Sequence, residues 1–290
     1  MTAWKITEPQ RLEIGEAVHR LDVTLVAGRL SVVGTDGPAR IEVTKVGETA
    51  PVDVTVESGL LTVAHPMPNV WTGWLRPVWW WINGHRMARS DVSIALPYGA
   101  AATLRVTSGP TVVSGVHGDL SVDVVSGRIT LLGNDGRIYG KIISGPIEAL
   151  GCAGDITLET VSGEITIAES ATERVHAKTV SGSLTADLDN PPRNSDIYLE
   201  TISGEITIRV REDSDLSVSL NATGGRVTSA FPKMAASGAD GGGKGWGRRL
   251  TGVLGAGTGR LHASAISGEI SLLPRPVDDA DFASDPEGLR

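Results

Sequence analysis

Trp71, Trp74, Trp79, Trp80 and Trp81 crowd into one stretch of the chain, about residues 66–90, together with Arg76, Arg86 and Arg89 and no acidic residue. Indole rings bury large areas, and guanidinium forks grip carboxylates and phosphates. This composition therefore suits contact with a protein partner or an anionic membrane surface more than bond-making chemistry. A second stretch, about residues 230–260, is Gly-rich and repeats the pairing in Trp246, Arg248 and Arg249, with Lys233, Lys244 and Arg260 against the single acid Asp240. The two stretches carry +3 and +4 on a chain of net charge −8. A competing reading is that the indoles cover the end of an apolar core.

Other residues could do chemistry only in company they lack. Glu164, Glu205 and Glu269 share one position after a turn, but glycoside cleavage needs two carboxyls across a cleft, and a repeated exposed Glu reads as a solvated rim. The run Gly238–Gly245 approaches a phosphate loop, yet Gly245 stands where the Ser or Thr after Lys244 should hold magnesium. His19, His65, His85, His117, His176 and His262 have no ligand spacing, so neither metal nor cofactor is expected. The single thiol, Cys152, lies nine residues from the apolar Ile143 and Val161, which predicts an inward, structural position. The net charge of −8 argues against a nucleic-acid binder, since phosphate recognition leans on clustered Lys and Arg over the binding face.

The elements that must position these residues are written in glycine. Gly109, Gly118, Gly127, Gly136, Gly145, Gly154 and Gly163 recur every nine residues. Two residues after the last six come Leu120, Ile129, Ile138, Ile147, Ile156 and Ile165, and two further on Val122, Leu131, Gly140, Ala149, Leu158 and Ile167. That alternation marks a strand with one buried face, and glycine supplies the turn. Ser precedes glycine only in alternate units, at Ser108, Ser126, Ser144 and Ser162, so the predicted coil has eighteen residues, two strands and two unlike turns. The phrase persists at Thr179–Gly182, Thr201–Gly204 and Ala265–Gly268, and more faintly at residues 27–32, 37–41 and 58–63.

These features predict an all-β chain, a parallel β-solenoid of eighteen-residue coils each made of two nine-residue strand–turn units. A single coil buries too little to order itself, so coils must stack. The expected domain runs over 1–273, interrupted by the two insertions. Pro274 and Pro276 read as a stop, and the acidic 274–290 as a disordered tail. Met1–Arg20 contains Glu8, Arg11, Glu13 and Glu16, and Val78–Ile82 is far shorter than the roughly 20 residues of a membrane span, so cytoplasmic residence with peripheral membrane contact is expected.

The Val-Ser-Gly-x-Ile-x-Ile phrase, as at Val161–Ile167, and the opening Val-Ala-Gly-Arg-Leu-Ser-Val-Val-Gly-Thr-Asp-Gly of 26–37 resemble a bacterial β-strand-repeat family of unknown function, often labelled putative adhesins, its actinobacterial members most of all. The likeness covers about residues 10–273. It implies the fold and a surface role, and transfers no functional residue.

Together these readings lead to a non-enzymatic scaffold or adhesin-like interaction module presenting two basic insertions to a protein or membrane partner. Self-association by end-to-end growth through terminal coils is the first alternative, and a carbohydrate-active β-helix enzyme the second.

Overall fold

Along the strand Leu120–Leu132, Leu120, Val122, Val124, Ile129 and Leu131 are buried, while Ser121, Asp123 and Val125 face outward. Period-two alternation over β-branched and aliphatic residues makes this a strand with one apolar face, which must find cover. The computed structural model describes residues 2–47, 51–66, 89–188, 194–232, 234–237 and 248–275. Within them the regular structure is all β, and the strands form one continuous solenoid-like sheet.

Cover comes from parallel neighbours. Leu120 lies opposite Ala102 and Ile138, and Ile129 opposite Thr111 and Ile147, partners eighteen residues away in each case. One row continues through Ile156, Val175, Ile197 and Leu261. The other runs through Ile165, Leu184, Ile206 and Ile270. All of these aliphatics are buried, so like side chains stack in an unbroken core. After Gly154 a bulge lengthens the step, setting Ile156 opposite Val175.

The chain crosses from one row to the other at the Ser-Gly turn. There the ladder continues without a break: the Gly145 amide donates to the Ser162 carbonyl at 2.9 Å, Gly163 to Ser181 at 3.1 Å and Gly182 to Ser203 at 3.0 Å. The opposite corner is built differently. Gly133 and Gly151 take left-handed φ of 57° and 61°, and the next residue turns inward. Asn134, Cys152 and Ser170 therefore form a buried column. Asn134 accepts from the Val116 amide at 2.9 Å and donates to the Val113 carbonyl at 3.1 Å, and Ser170 Oγ accepts from the Cys152 amide at 3.3 Å. Cys152 is inward as expected, but not for the expected reason. Ile143 and Val161 are 49% and 45% exposed, because the two corners place the residue five after the first aliphatic on opposite sides.

The ends depart from a simple coil. Arg20–Ala27 and Leu30–Thr35 lie between Ala101–Ser114 and the later pair Leu60–Ala64 and Asp91–Pro97. Antiparallel strands then close this end: Val52–Glu57 and Thr2–Ile6 on one side, Arg40–Lys45 and Gln10–Glu13 on the other. Trp4 packs, partly buried, on the core there. At the far end the last strands in sequence, Gly259–Ser267 and Ile270–Arg275, intercalate between the Asp196–Arg211 strands and Leu216–Ser229, and antiparallel Arg248–Leu254 lies outside. Two readings of the sequence are corrected here. Ser58-Gly59 is a hairpin turn with φ of 49° and 79°, not a coil corner. Pro274 lies within a strand, opposite Val210, and pairing reaches Arg275.

Candidate functional site

The described roots of the first insertion stand at one corner of the coil formed by Leu60–Ala64 and Asp91–Pro97. His65 leaves the strand with its amide on the Thr24 carbonyl, and Ser90 returns with its amide on the Ala27 carbonyl, each at 3.0 Å. Both are buried, and the His65 ring joins them: Nδ1 accepts from the Val26 amide at 3.0 Å, and Nε2–H donates to Ser90 Oγ at 3.0 Å. Ser90 Oγ also receives the Gly47 amide at 3.3 Å. The insertion thus replaces the Ser-Gly turn of its coil, with Ser90 backbone against Gly28. Arg89 bridges to Ala27 at this end.

Trp71, Trp74, Arg76, Trp79, Trp80, Trp81 and Arg86 lie outside the described residues, as does Trp246. Arg249 pairs with Asn221 in the antiparallel strand Arg248–Leu254 at the other end of the stack. The described roots of the two basic insertions are therefore separated by the whole coil stack, roughly 40 Å at about 4.8 Å per coil. Arg89 and Arg249 cannot belong to one patch.

Burial lowers the His65 pKa from its ordinary 6.5, only partly opposed by the Asp53 charge. The sign follows from linkage: the unfolded chain binds this proton more readily, so stability present above pH 6.5 is lost as pH falls below it toward the folded value. We expect the unfolding free energy to decline on acidification, by at most about 1.4 kcal/mol per pH unit from this group. His65→Gln should flatten that part of the slope in urea titrations at a series of pH values. An unchanged slope would remove His65 from the account.

One face of the coils gathers charged, aromatic and apolar side chains. Four outward rows run along it. The first alternates in sign: Asp119, Arg137, Asp155, Arg174, Asp196, Arg260, with Arg137–Asp119 at 3.7 Å, Arg174–Asp155 at 2.5 Å and Arg260–Asp196 at 2.9 Å. The third alternates in the same sense from coil to coil: Asp123, Lys141, Glu159, Lys178, Glu200, with Lys141–Glu159 at 3.4 Å and Lys178–Glu200 at 3.5 Å. Between them stand Tyr139, His176, Tyr198 and His262. Tyr198 and His262 stack at 5.0 Å, and Tyr198 Oη donates to Glu200 at 2.6 Å, which holds the Glu200 carboxyl below its usual range. The fourth row is apolar: Val125, Ile143, Val161, Val180, Ile202 and Ile266, 38–55% exposed. These are half of the exposed large hydrophobics among the described residues. A shallow cleft beside Val125 and Ile143 has Arg105, Asp123 and Lys141 on its other wall.

The eighteen-residue recurrence of charge was present in the sequence, and the Val or Ile before the Ser-Gly pairs at 126, 144, 162, 181, 203 and 267 was visible too. What hid the surface was the assumption that apolar residues nine apart share a side. Glu164, Glu205 and Glu269 line an exposed rim, as expected. Cys152 is buried, which pushes its thiol pKa up. Among the described residues no three His, Cys, Asp or Glu side chains group as a metal site, and no helix is long and apolar enough to cross a membrane.

A sheet of stacked parallel coils with a repeated Ser-Gly corner and closed ends defines a β-helix-like repeat protein. Residues 86–273 match the model of the Toastrack DUF4097 family, and the chain belongs to that family. It is similar in structure to a putative cell adhesion protein from Clostridium sporogenes, at 12% identity and TM-score 0.29, over 92% of this chain and 100% of that one. It is also similar to a putative adhesin from Parabacteroides distasonis, at 15% identity and TM-score 0.34, over 92% and 96%. A putative lipid binding protein from the same organism aligns at 11% identity and TM-score 0.32, over 92% and 97%. No curated protein matches the chain.

Proposed function

We propose that this protein is a non-enzymatic interaction module: a stack of eighteen-residue coils that presents the Trp/Arg insertion, from a fixed corner, to an anionic membrane surface or a protein partner. The observation that carries this reading is the clamp at the insertion's roots. His65 and Ser90 are buried and hydrogen-bonded to each other and to the Val26 and Gly47 amides. A loop that only covered the core would need no such anchor, whereas a binding loop gains from being held on a rigid support. Tryptophan and arginine are the side chains that dominate contact energetics and seat well at a membrane interface. In this reading the protein works in the cytoplasm and meets the membrane peripherally. The Gly-rich insertion with Trp246, Arg248 and Arg249 forms a second, separate contact at the other end.

The test replaces Trp79, Trp80 and Trp81 by Ala in the full chain. Co-sedimentation with vesicles of phosphatidylcholine, with and without phosphatidylserine, should fall at least tenfold for the anionic vesicles, while circular dichroism and the urea midpoint stay unchanged. Loss of the folded state would support the indoles as a cover for the core. A folded variant that binds as well as the parent would sink the proposal.

A further inference from the structure

The four-row face is self-complementary, and we infer that it is the interface of an antiparallel, two-fold symmetric dimer of this chain. Consider a two-fold axis lying along the strands and passing between the coil of Val161 and the coil of Val180. Each row then faces its own reverse in the second copy. Asp155 meets the copy's Arg174, Arg137 its Asp196 and Asp119 its Arg260. In the other charged row, Glu159 meets Lys178 and Lys141 meets Glu200. The apolar row closes on itself, with Val161 on Val180, Ile143 on Ile202 and Val125 on Ile266.

Alternation within one chain already has an explanation, since neighbouring coils about 4.8 Å apart cannot carry like charges cheaply. Two further observations point to a second copy. First, both charged rows alternate in phase over the five coils from Asp119 to Glu200, and Arg260 extends the first row to six bands, an even number that presents opposite sign to its own reverse. That is the requirement of an isologous interface, where one patch must complement itself. Second, the bands flank an exposed apolar ridge of six β-branched residues, 38–55% accessible, which nothing in the described chain covers. Six coils span about 29 Å and four outward rows about 20 Å. The footprint is thus roughly 600 Å² per copy, and the total near 1,200 Å² clears the roughly 1,000 Å² that a specific interface needs. The inference uses neither basic insertion and stands or falls apart from the proposed membrane contact.

Sedimentation equilibrium of the full chain should give a dimer, and added salt should weaken it. Two variants decide the matter: Arg174→Glu with Lys178→Glu, and Asp155→Arg with Glu159→Lys. Each alone places like bands on one another and should raise the dimer dissociation constant about tenfold or more. Mixed in equal amounts, they face acid with base across the axis and should restore the dimer, a rescue that no purely structural role of these side chains produces. Should either charge variant fail to fold, Val161→Gln, an exposed position, must weaken the dimer by itself. A monomer at every concentration, open-ended growth beyond the dimer, or singles that dimerise like the parent would each overturn the inference.

Discussion

Gly145→Ala is expected to remove more than about 4 kcal/mol of stability, enough to leave much of the chain unfolded. Two effects add at this position. The backbone there has φ of 129°, a region that an L side chain rarely enters. The new Cβ would also collide with the Gly127 carbonyl oxygen and come within 3.2 Å of Ile142 Cδ1. The oxygen belongs to the backbone of the neighbouring coil, not to a side chain that could rotate away. The control lies in the preceding coil. Gly133 also has positive φ, 57°, but a Cβ there meets nothing within 4 Å. Gly133→Ala therefore carries only left-handed strain, about 1–2 kcal/mol. Urea unfolding followed by circular dichroism should separate the two by several kcal/mol. Equal losses would mean that close approach of the corners contributes nothing, and that the Ser-Gly glycines serve φ alone.

That contrast marks what could be read from the sequence and what could not. The parallel strand rows were legible, because Ile and Leu recur at fixed spacing and alternate with polar residues, and burial of that pattern admits few other solutions. Ser108, Ser126, Ser144 and Ser162 also told one corner from the other. Three features were not legible. The order of coils at the ends depends on long connections whose return points carry no local signal, so Gly259–Ser267 slipping between earlier strands could not be foreseen. Ser58-Gly59 uses the residues of a coil corner for a hairpin, since both need positive φ. Finally, the side taken by Ile143, Cys152 and Val161 is set by a difference in turn geometry between the corners. Period nine alone cannot express that difference. The Trp/Arg insertion was conspicuous by composition, but only the folded chain brings His65 and Ser90 together at its root.

The same corner asymmetry makes the second large prediction, that the stack tolerates loss of eighteen residues and not of nine. Deleting 138–155 joins Arg137 to Ile156 and sets Leu120 opposite Ile156, Ser126 opposite Ser162 and Asn134 opposite Ser170. Every corner then meets its own kind. The deletion also brings Asp123 beside Glu159 and Arg137 beside Arg174, two like-charge neighbours that cost about 0.2–1 kcal/mol each at exposed positions. Deleting 138–146 instead leaves the apolar pattern intact, since Leu120 would face Ile147 and Ile129 would face Ile156. A rule based on hydrophobic period alone therefore forecasts that both deletions fold. The corners forecast otherwise: outward Val125 would lie opposite inward Cys152, and inward Asn134 opposite outward Val161. The Val116 amide and Val113 carbonyl, which Asn134 satisfies in the intact chain, sit at the corner that must distort, and a buried polar group left unpaired costs about 1–3 kcal/mol. Across two mismatched corners in a stack whose coils support one another, that is enough to exceed the stability of a marginal domain. Thermal unfolding should show one cooperative transition near the parent's for the eighteen-residue deletion. The nine-residue deletion should show a collapsed or absent one. Equal stability of the two would mean that the nine-residue strand–turn, not the eighteen-residue coil, is the unit of this fold.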